Sequence, residues 1–283
     1  MKILISGSTG FIGKSLSLSF TNRDWIIEPL TRKDFLDEHR LAERVNGAGA
    51  VIHLAGAPIL KRWTKAYREE IYASRVITTR KLVRAIRNCR EHPGLLISTS
   101  ASGIVRDGCI INEKGADFDG GFLGNLCQDW EAAALEVQDI TRVVVFRLSV
   151  VLDRNEGALP KMLWAFKLGL GGPIANGKQL FSWIHRTDLL NAYSHVIEND
   201  SIQGIVHLAS PLTVTNLEYT NTLARVLNRP AVIPIPAFAL KLLYGDAAAI
   251  LTGGQGILPE KLLNSGFTFR FPRLEEALKD LLA

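Results

Sequence analysis

Ile3, Leu4 and Ile5 form a short apolar run that enters a turn of Ser6, Gly7, Ser8, Thr9 and Gly10 and continues into Phe11, Ile12 and Gly13. A strand that ends in spaced glycines and opens an apolar helix admits few folds. Gly7 permits the tight turn, Gly10 lets backbone come close to a pyrophosphate, and Gly13 lets the helix pack against the strand. The amides and positive end of that helix then face an anion. Residues 7–13 are therefore a candidate phosphate cradle, the alternative being a glycine-rich structural turn.

The rest of the first half has the rhythm such a turn needs. Short β-branched runs at 3–6, 25–30, 50–54, 95–98 and 142–148 alternate with helical patterns at 11–20, 66–88 and 125–137. The second of these helices carries Ile71, Arg75, Thr78, Leu82 and Ile86 at helical spacing. This predicts an α/β fold, a Rossmann-type doubly wound parallel sheet with right-handed crossovers, over residues 1–151. From 152 to 283 the pattern loosens, and glycine- and proline-rich stretches at 169–173 and 230–236 separate helices at 187–198, 215–227 and 274–282. This half is expected to form mostly a smaller, interleaved substrate-binding lobe, with the strand-like run at 204–208 returning to the main sheet.

Composition narrows the ligand. With 283 residues, 47% of them hydrophobic, the chain can bury a large core. Its net charge of +5, from 33 Lys and Arg against 28 Asp and Glu, is too small to argue for nucleic acid, so a small anionic ligand is sought first. Cys89, Cys109 and Cys127 are an odd number without CxxC spacing, which argues against a disulfide framework and a structural zinc site. The uncharged runs fall short of a bilayer span, and the first residues lack the pattern of a signal peptide. The expectation is a soluble cytoplasmic protein, monomer or homodimer, with a small-molecule substrate and neither nucleic acid nor membrane as partner.

The end of the second strand discriminates between the two nicotinamide dinucleotides, because an acid there holds the ribose 2′-hydroxyl and a base holds a 2′-phosphate. Here the strand runs into Thr31, Arg32 and Lys33. Arg32 can grip a phosphate through two hydrogen bonds, Lys33 adds a point charge and Thr31 a hydroxyl. The expected cofactor is NADP. Glu28, Asp34 and Asp37 lie close enough that a shift of register would hand the ribose to an acid instead.

With these motifs the chain resembles the extended short-chain dehydrogenase/reductase family, the NAD(P)-dependent sugar-nucleotide epimerases and dehydratases. Residues 51–56, ending in Leu54, Ala55 and Gly56, look like the family's fourth strand and its small-residue turn, where backbone approaches the cofactor. Residues 97–101, with Ser98 and Ser100, are similar to the fifth strand and its active-site hydroxyl. Residues 182–188, with Trp183 and His185, resemble the signature that opens a helix in the second lobe. The strings at 61–64, 74–76, 127–131, 157–162 and 168–173 are closest to an epimerase-like subfamily without a settled substrate, sometimes labelled a cell-division inhibitor. The resemblance implies the fold and cofactor, with Gly7 to Gly13, Leu54, Ala55, Gly56 and Ser98 around the dinucleotide.

The parent family abstracts a proton with a tyrosine whose pKa is lowered by a lysine four residues on. None of the five tyrosines here has that lysine. The matching helix carries Cys127 and Glu131 at the same interval, and a carboxylate there raises a thiol pKa where the lysine lowers that of the tyrosine. Two readings of Cys127 stand, a proton carrier whose rate would rise with pH or a small buried core residue. Ser100 is expected to orient the substrate. Arg147 and Lys161 are candidate ligands for a substrate phosphate or carboxylate, or structural ion pairs. Trp63, Trp183 and His185 are candidate pocket residues, with core packing for the tryptophans and a structural hydrogen bond for the histidine as the alternatives. The sequence thus reads as an NADP-binding oxidoreductase or epimerase for a small sugar-like or anionic substrate, against a non-catalytic NADP(H) sensor.

Overall fold

The side chains of β1 (Lys2–Ser6) divide between two cores, as period two requires in a strand covered on both faces. Ile3 and Ile5 pack with Leu16 and Phe20 of α1 (Phe11–Phe20), while Leu4 packs on the other face with Val51, Leu82 and Leu96. The computed structural model describes residues 1–21, 23–102, 107–115 and 119–283. It continues with β2 (Ile26–Leu30), α2 (Glu38–Val45), β3 (Ala50–His53), α3 (Lys65–Tyr72), α4 (Thr78–Asn88), β4 (Leu95–Ala101), β5 (Ile110–Ile111), α5 (Phe122–Leu135) and β6 (Arg142–Leu148). Then come β7 (Val150–Leu152), α6 (Leu159–Lys167), β8 (Leu180–Phe181), β9 (Trp183–His185), α7 (Arg186–Glu198) and β10 (Gly204–Leu208). The chain closes with β11 (Val214–Thr215), α8 (Asn216–Leu227), α9 (Ala237–Tyr244), α10 (Ala249–Thr252), β12 (Gly256–Ile257), α11 (Glu260–Asn264) and α12 (Leu274–Leu282).

The main sheet is parallel throughout, in the order β10-β6-β4-β3-β1-β2. Strand order reverses at β1, so a crevice opens beyond the carboxyl ends of β1 and β3, the usual ligand position in such sheets. This is the doubly wound Rossmann-type sheet that the alternating pattern predicts. The strands matched by resemblance to a fourth and fifth are β3 and β4 in this chain.

The helix expected at 66–88 is three pieces, because a π-helical turn at Ala73–Ile77 separates α3 from α4. Such a turn holds an extra residue and rotates the helix beyond it. In the second half, β10 pairs with β6, and α7 packs Leu189, Tyr193 and Val196 into the same core as β1. What remains builds a separate core from Leu163 of α6, Tyr219 and Leu223 of α8 and Leu278 of α12. Trp183, expected in a pocket, is fully buried in that core and donates its indole N–H to the Leu212 carbonyl at 3.2 Å. No helix among the described residues is long and apolar enough to cross a membrane.

Candidate active site in the cleft above the sheet

The first turn is constrained at each glycine in a different way. Gly7 has φ +72°, and a Cβ there would also meet the Leu54 carbonyl carbon at 3.0 Å. A Cβ on Gly13 would lie 2.4 Å from the Gly7 carbonyl oxygen, so the helix can sit this close only without a side chain. Gly10, the N-cap of α1, bonds back to Gly7 at 3.0 Å, and its own Cβ would touch nothing nearer than 3.3 Å. Gly10 is exposed and lines the cleft, with the amides of the first helical turn beside it. Ser8 and Thr9 form the rim of this turn and lie outside the cleft lining.

At the end of β2 the acids are engaged elsewhere. Asp34 is buried, and its Oδ2 accepts from both the backbone N–H and the hydroxyl of Thr31 at 2.7 Å, while Oδ1 accepts from Arg40 Nε at 2.8 Å. Burial works to raise the Asp34 pKa, but the Thr31 hydrogen bonds and the Arg40 charge outweigh it and hold the carboxyl below its ordinary value. Glu28 pairs with Arg44 at 3.0 Å, and Asp37 caps α2 by accepting from the His39 and Arg40 amides. Arg32 and Lys33 are exposed, and neither forms an ion pair among the described residues. Thr31, expected as a phosphate ligand, directs its hydroxyl proton inward to Asp34 and holds the turn instead.

A cleft of about 330 Å³ extends from the glycine turn to α5. It is lined by Gly7, Gly10, Phe11, Ile12 and Gly13 at one end, by Leu54, Ala55 and Gly56 along the side, and by Ser100 and Cys127 at the other end. Leu54 is fixed by its N–H donating to the Ser6 hydroxyl at 3.2 Å, and that hydroxyl also meets His53 Nδ1 at 2.6 Å. Burial alone brings His53 down to about 4, so its ring is neutral and structural. Ser98, expected beside the cofactor, is buried inside β4 and does not reach the cleft.

Cys127 is 2% exposed and packs against Ala101, Cys109 and Ile111. Burial first, and the Glu131 charge second, push its thiol up to about 11, against opposing contributions from Ser100, Ala101 and Arg75. The thiol is therefore protonated at neutral pH, and a base role with a rate rising through an ordinary thiol ionisation does not fit. Glu131, expected in the chemistry, is buried in a two-pronged pair with Arg147, Nε to Oε1 at 2.9 Å and Nη2 to Oε2 at 2.8 Å. Arg147, expected on the substrate, is thus committed to Glu131 beside its register partner Ser100.

Three further candidates lie away from the cleft. Trp63 donates its indole N–H to the Ile59 carbonyl at 2.9 Å and packs edge-on against Phe122. It stands behind the wall and outside the lining. Lys161 is exposed on α6 in the second lobe and does not line the cleft. His185 caps α7, accepting from the Thr187 amide at 3.1 Å, while its Nε2 lies 3.3 Å from Asp280; burial lowers its pKa.

Arg75 is the cleft residue that sequence patterns alone do not mark as part of a site. The π turn carries it to the wall, where Nη2 donates to the Ala57 carbonyl at 2.9 Å and the guanidinium lies 5.4 Å from the Trp130 ring centre. Burial lowers its pKa. A signal for it does exist: a charged side chain stands on the otherwise apolar stripe of Ile71, Leu82 and Ile86. Thr99, Leu126 and Trp130 also line the cleft. Among the described residues the lining holds neither tyrosine nor lysine, and no cluster suited to a metal ion occurs.

A parallel doubly wound sheet with an amide-lined helix start at its switch point defines a dinucleotide-binding protein of the Rossmann type. The NAD dependent epimerase/dehydratase family matches residues 3–209, and a domain of unknown function, DUF1731, matches residues 235–281. The chain belongs to the NAD dependent epimerase/dehydratase family. It is 36% identical over 296 residues to the epimerase family protein SDR39U1 of Bos taurus, covering 100% of both chains. It is 34% identical over 295 residues to the epimerase family protein SSP1921 of Staphylococcus saprophyticus, covering 99% and 98%. The crystal structure of human SDR39U1 with NADPH matches with a TM-score of 0.92 at 33% identity over 99% of each chain. The UDP-glucuronic acid 4-epimerase of Bacillus cereus matches at TM-score 0.79 but only 14% identity, over 99% of this chain and 96% of that one, a likeness of fold alone.

Proposed function

We propose that the protein is an NADP(H)-binding oxidoreductase or epimerase acting on a small sugar-like or anionic substrate. One observation carries the cofactor choice: every acid near the end of β2 is engaged in the fold, while Arg32 and Lys33 stand free to meet a 2′-phosphate. The related human protein crystallised with NADPH supports it. The amides at the start of α1 would hold the pyrophosphate beside Gly10, and the backbone of Leu54, Ala55 and Gly56 would flank the dinucleotide. The bound nicotinamide supplies hydride transfer. The chain's own residues do the rest: Ser100 orients a substrate oxygen by hydrogen bonding, the protonated Cys127 lines the cleft beside it, and the Glu131–Arg147 pair fixes α5 against β6. A water, rather than Cys127, carries the proton. The three unpaired cysteines suit a reducing, cytoplasmic setting.

A second reading, a non-catalytic NADP(H) sensor, draws support from a cleft lining without tyrosine or lysine and a thiol held protonated. Release and identification of the nucleotide bound on purification, followed by NADPH consumption assays over sugar nucleotides, ketones and aldehydes, separates the two. Turnover on any of these supports the enzyme. Bound NADP(H) with no turnover across all of them moves the sensor ahead.

A further inference from the structure

Arg75 is a cation drawn partly out of water with only neutral partners. Nη2 donates to the Ala57 carbonyl at 2.9 Å, and Nη1 lies 3.4 Å from the Ile71 carbonyl and 3.5 Å from the Ser74 hydroxyl. No carboxylate pairs with it among the described residues, whereas Arg147, the register partner of Ser100 in the sheet, has Glu131. Removing a guanidinium from water without a counter-ion is costly, and proteins seldom arrange it except where a ligand completes the pair. The group is also clamped. A Cβ on Gly56 would lie 3.1 Å from the Arg75 Cζ, a tight contact that glycine avoids on that side, and the Trp130 ring lies on another. These contacts engage three of the five N–H groups that a guanidinium offers, leaving Nε–H and one N–H on Nη2 without an acceptor among the described residues.

We propose that Arg75 anchors a carboxylate of the substrate, held in the cleft beside Ser100 and Cys127. The substrate is then a small hydroxy or oxo acid, whose reacting oxygen falls to Ser100 while its carboxylate pairs with Arg75. A carboxylate and a phosphate can each take the two remaining N–H groups of a fixed guanidinium in parallel hydrogen bonds, and the choice between them follows from where the dinucleotide's phosphates go. The phosphates of a dinucleotide already have Gly10, the α1 amides, Arg32 and Lys33 at the opposite end. The apolar side chains of Leu126 and Trp130 around Arg75 strengthen the pair by excluding water. This inference rests on the reading of the cleft as an NADP(H) site.

The test uses malonate as probe, titrated calorimetrically into the full-length protein with and without NADPH, and inorganic phosphate as the rival anion. Malonate is expected to bind and to outcompete phosphate. Arg75→Gln is expected to weaken malonate about tenfold or more while leaving NADPH affinity within roughly threefold, and Arg75→Lys to fall between. Should Arg75→Gln fail to fold by circular dichroism, Arg75→Lys carries the comparison, with a loss of about threefold or more expected. Malonate affinity that ignores both changes, phosphate binding tighter than malonate, or NADPH lost as heavily as malonate each overturns the assignment. If the native protein binds malonate through Arg75 but takes no NADPH, the cofactor reading falls and the anion site stands.

Discussion

The two ends of the cleft are built from different material. At the glycine turn the ligand-facing groups are backbone amides, and three positions lack side chains because any Cβ would strike the chain or fill the cradle. At the far end the lining is side chain: Ser100 from β4, Cys127 and Trp130 from α5, and Arg75 from the π turn. A backbone site is fixed by local geometry, so it tolerates almost no substitution and varies little in what it binds. A side-chain site is fixed by which elements pack together, so its chemistry can change while the fold stays.

That contrast is open to breakage. The largest effect is expected at the backbone end: Gly10→Val should abolish NADP(H) binding, a loss of about a hundredfold or more, with the circular dichroism spectrum unchanged. Near-normal affinity in that variant would contradict the position of the cradle. Next is the pair beneath the side-chain end. Glu131→Ala removes the two charge-assisted hydrogen bonds that the buried carboxylate makes to Arg147 and should cost roughly 1.5–3 kcal/mol in denaturant unfolding, and removing both groups together should cost less than the two single losses added. Arg32→Ala should come third, lowering NADPH affinity by about one to two decades, or roughly 1.5–3 kcal/mol, and leaving NADH affinity unmoved.

The smallest effect belongs to Cys127. Cys127→Ser should leave NADPH affinity within about twofold. The thiol, raised to about 11, should resist iodoacetamide at neutral pH. Its linkage to folding has a definite sign. The unfolded thiol ionises near its ordinary value of 9.0 while the folded one keeps its proton to about 11, so the folded state binds more protons in that interval. Its contribution to stability therefore falls as pH rises from about 9 to 11, by roughly 1 kcal/mol per pH unit. Alkaline denaturation of Cys127→Ser should be shallower over that range.

The same contrast explains what is legible in the sequence. The glycine turn, the alternating strands and the basic residues after β2 are local patterns, and each lies where its spacing implies. Even the return of Gly204–Leu208 to the main sheet is announced by its β-branched run. The side-chain end is less legible, because helical spacing states which residues share a face and not what that face meets. Cys127 and Glu131 do lie one turn apart, but Glu131 turns to Arg147 of β6, a partner that only the packed sheet brings near. Trp183 and His185 both belong to β9, yet the strand delivers them to a core and to a helix cap. Arg75 is visible as a charge on an apolar stripe, and the π turn that aims it into the cleft has no pattern of its own in the sequence.

The central claim is that the end of β2 selects the phosphorylated dinucleotide because its acids are engaged in the fold and its bases are not. Calorimetric titration of the native protein with NADPH and with NADH, under one buffer and salt concentration, tests it most directly. NADPH is expected to bind about ten- to a hundredfold more tightly, with the difference shrinking as salt rises. Equal affinities, or a tighter NADH, would contradict the claim.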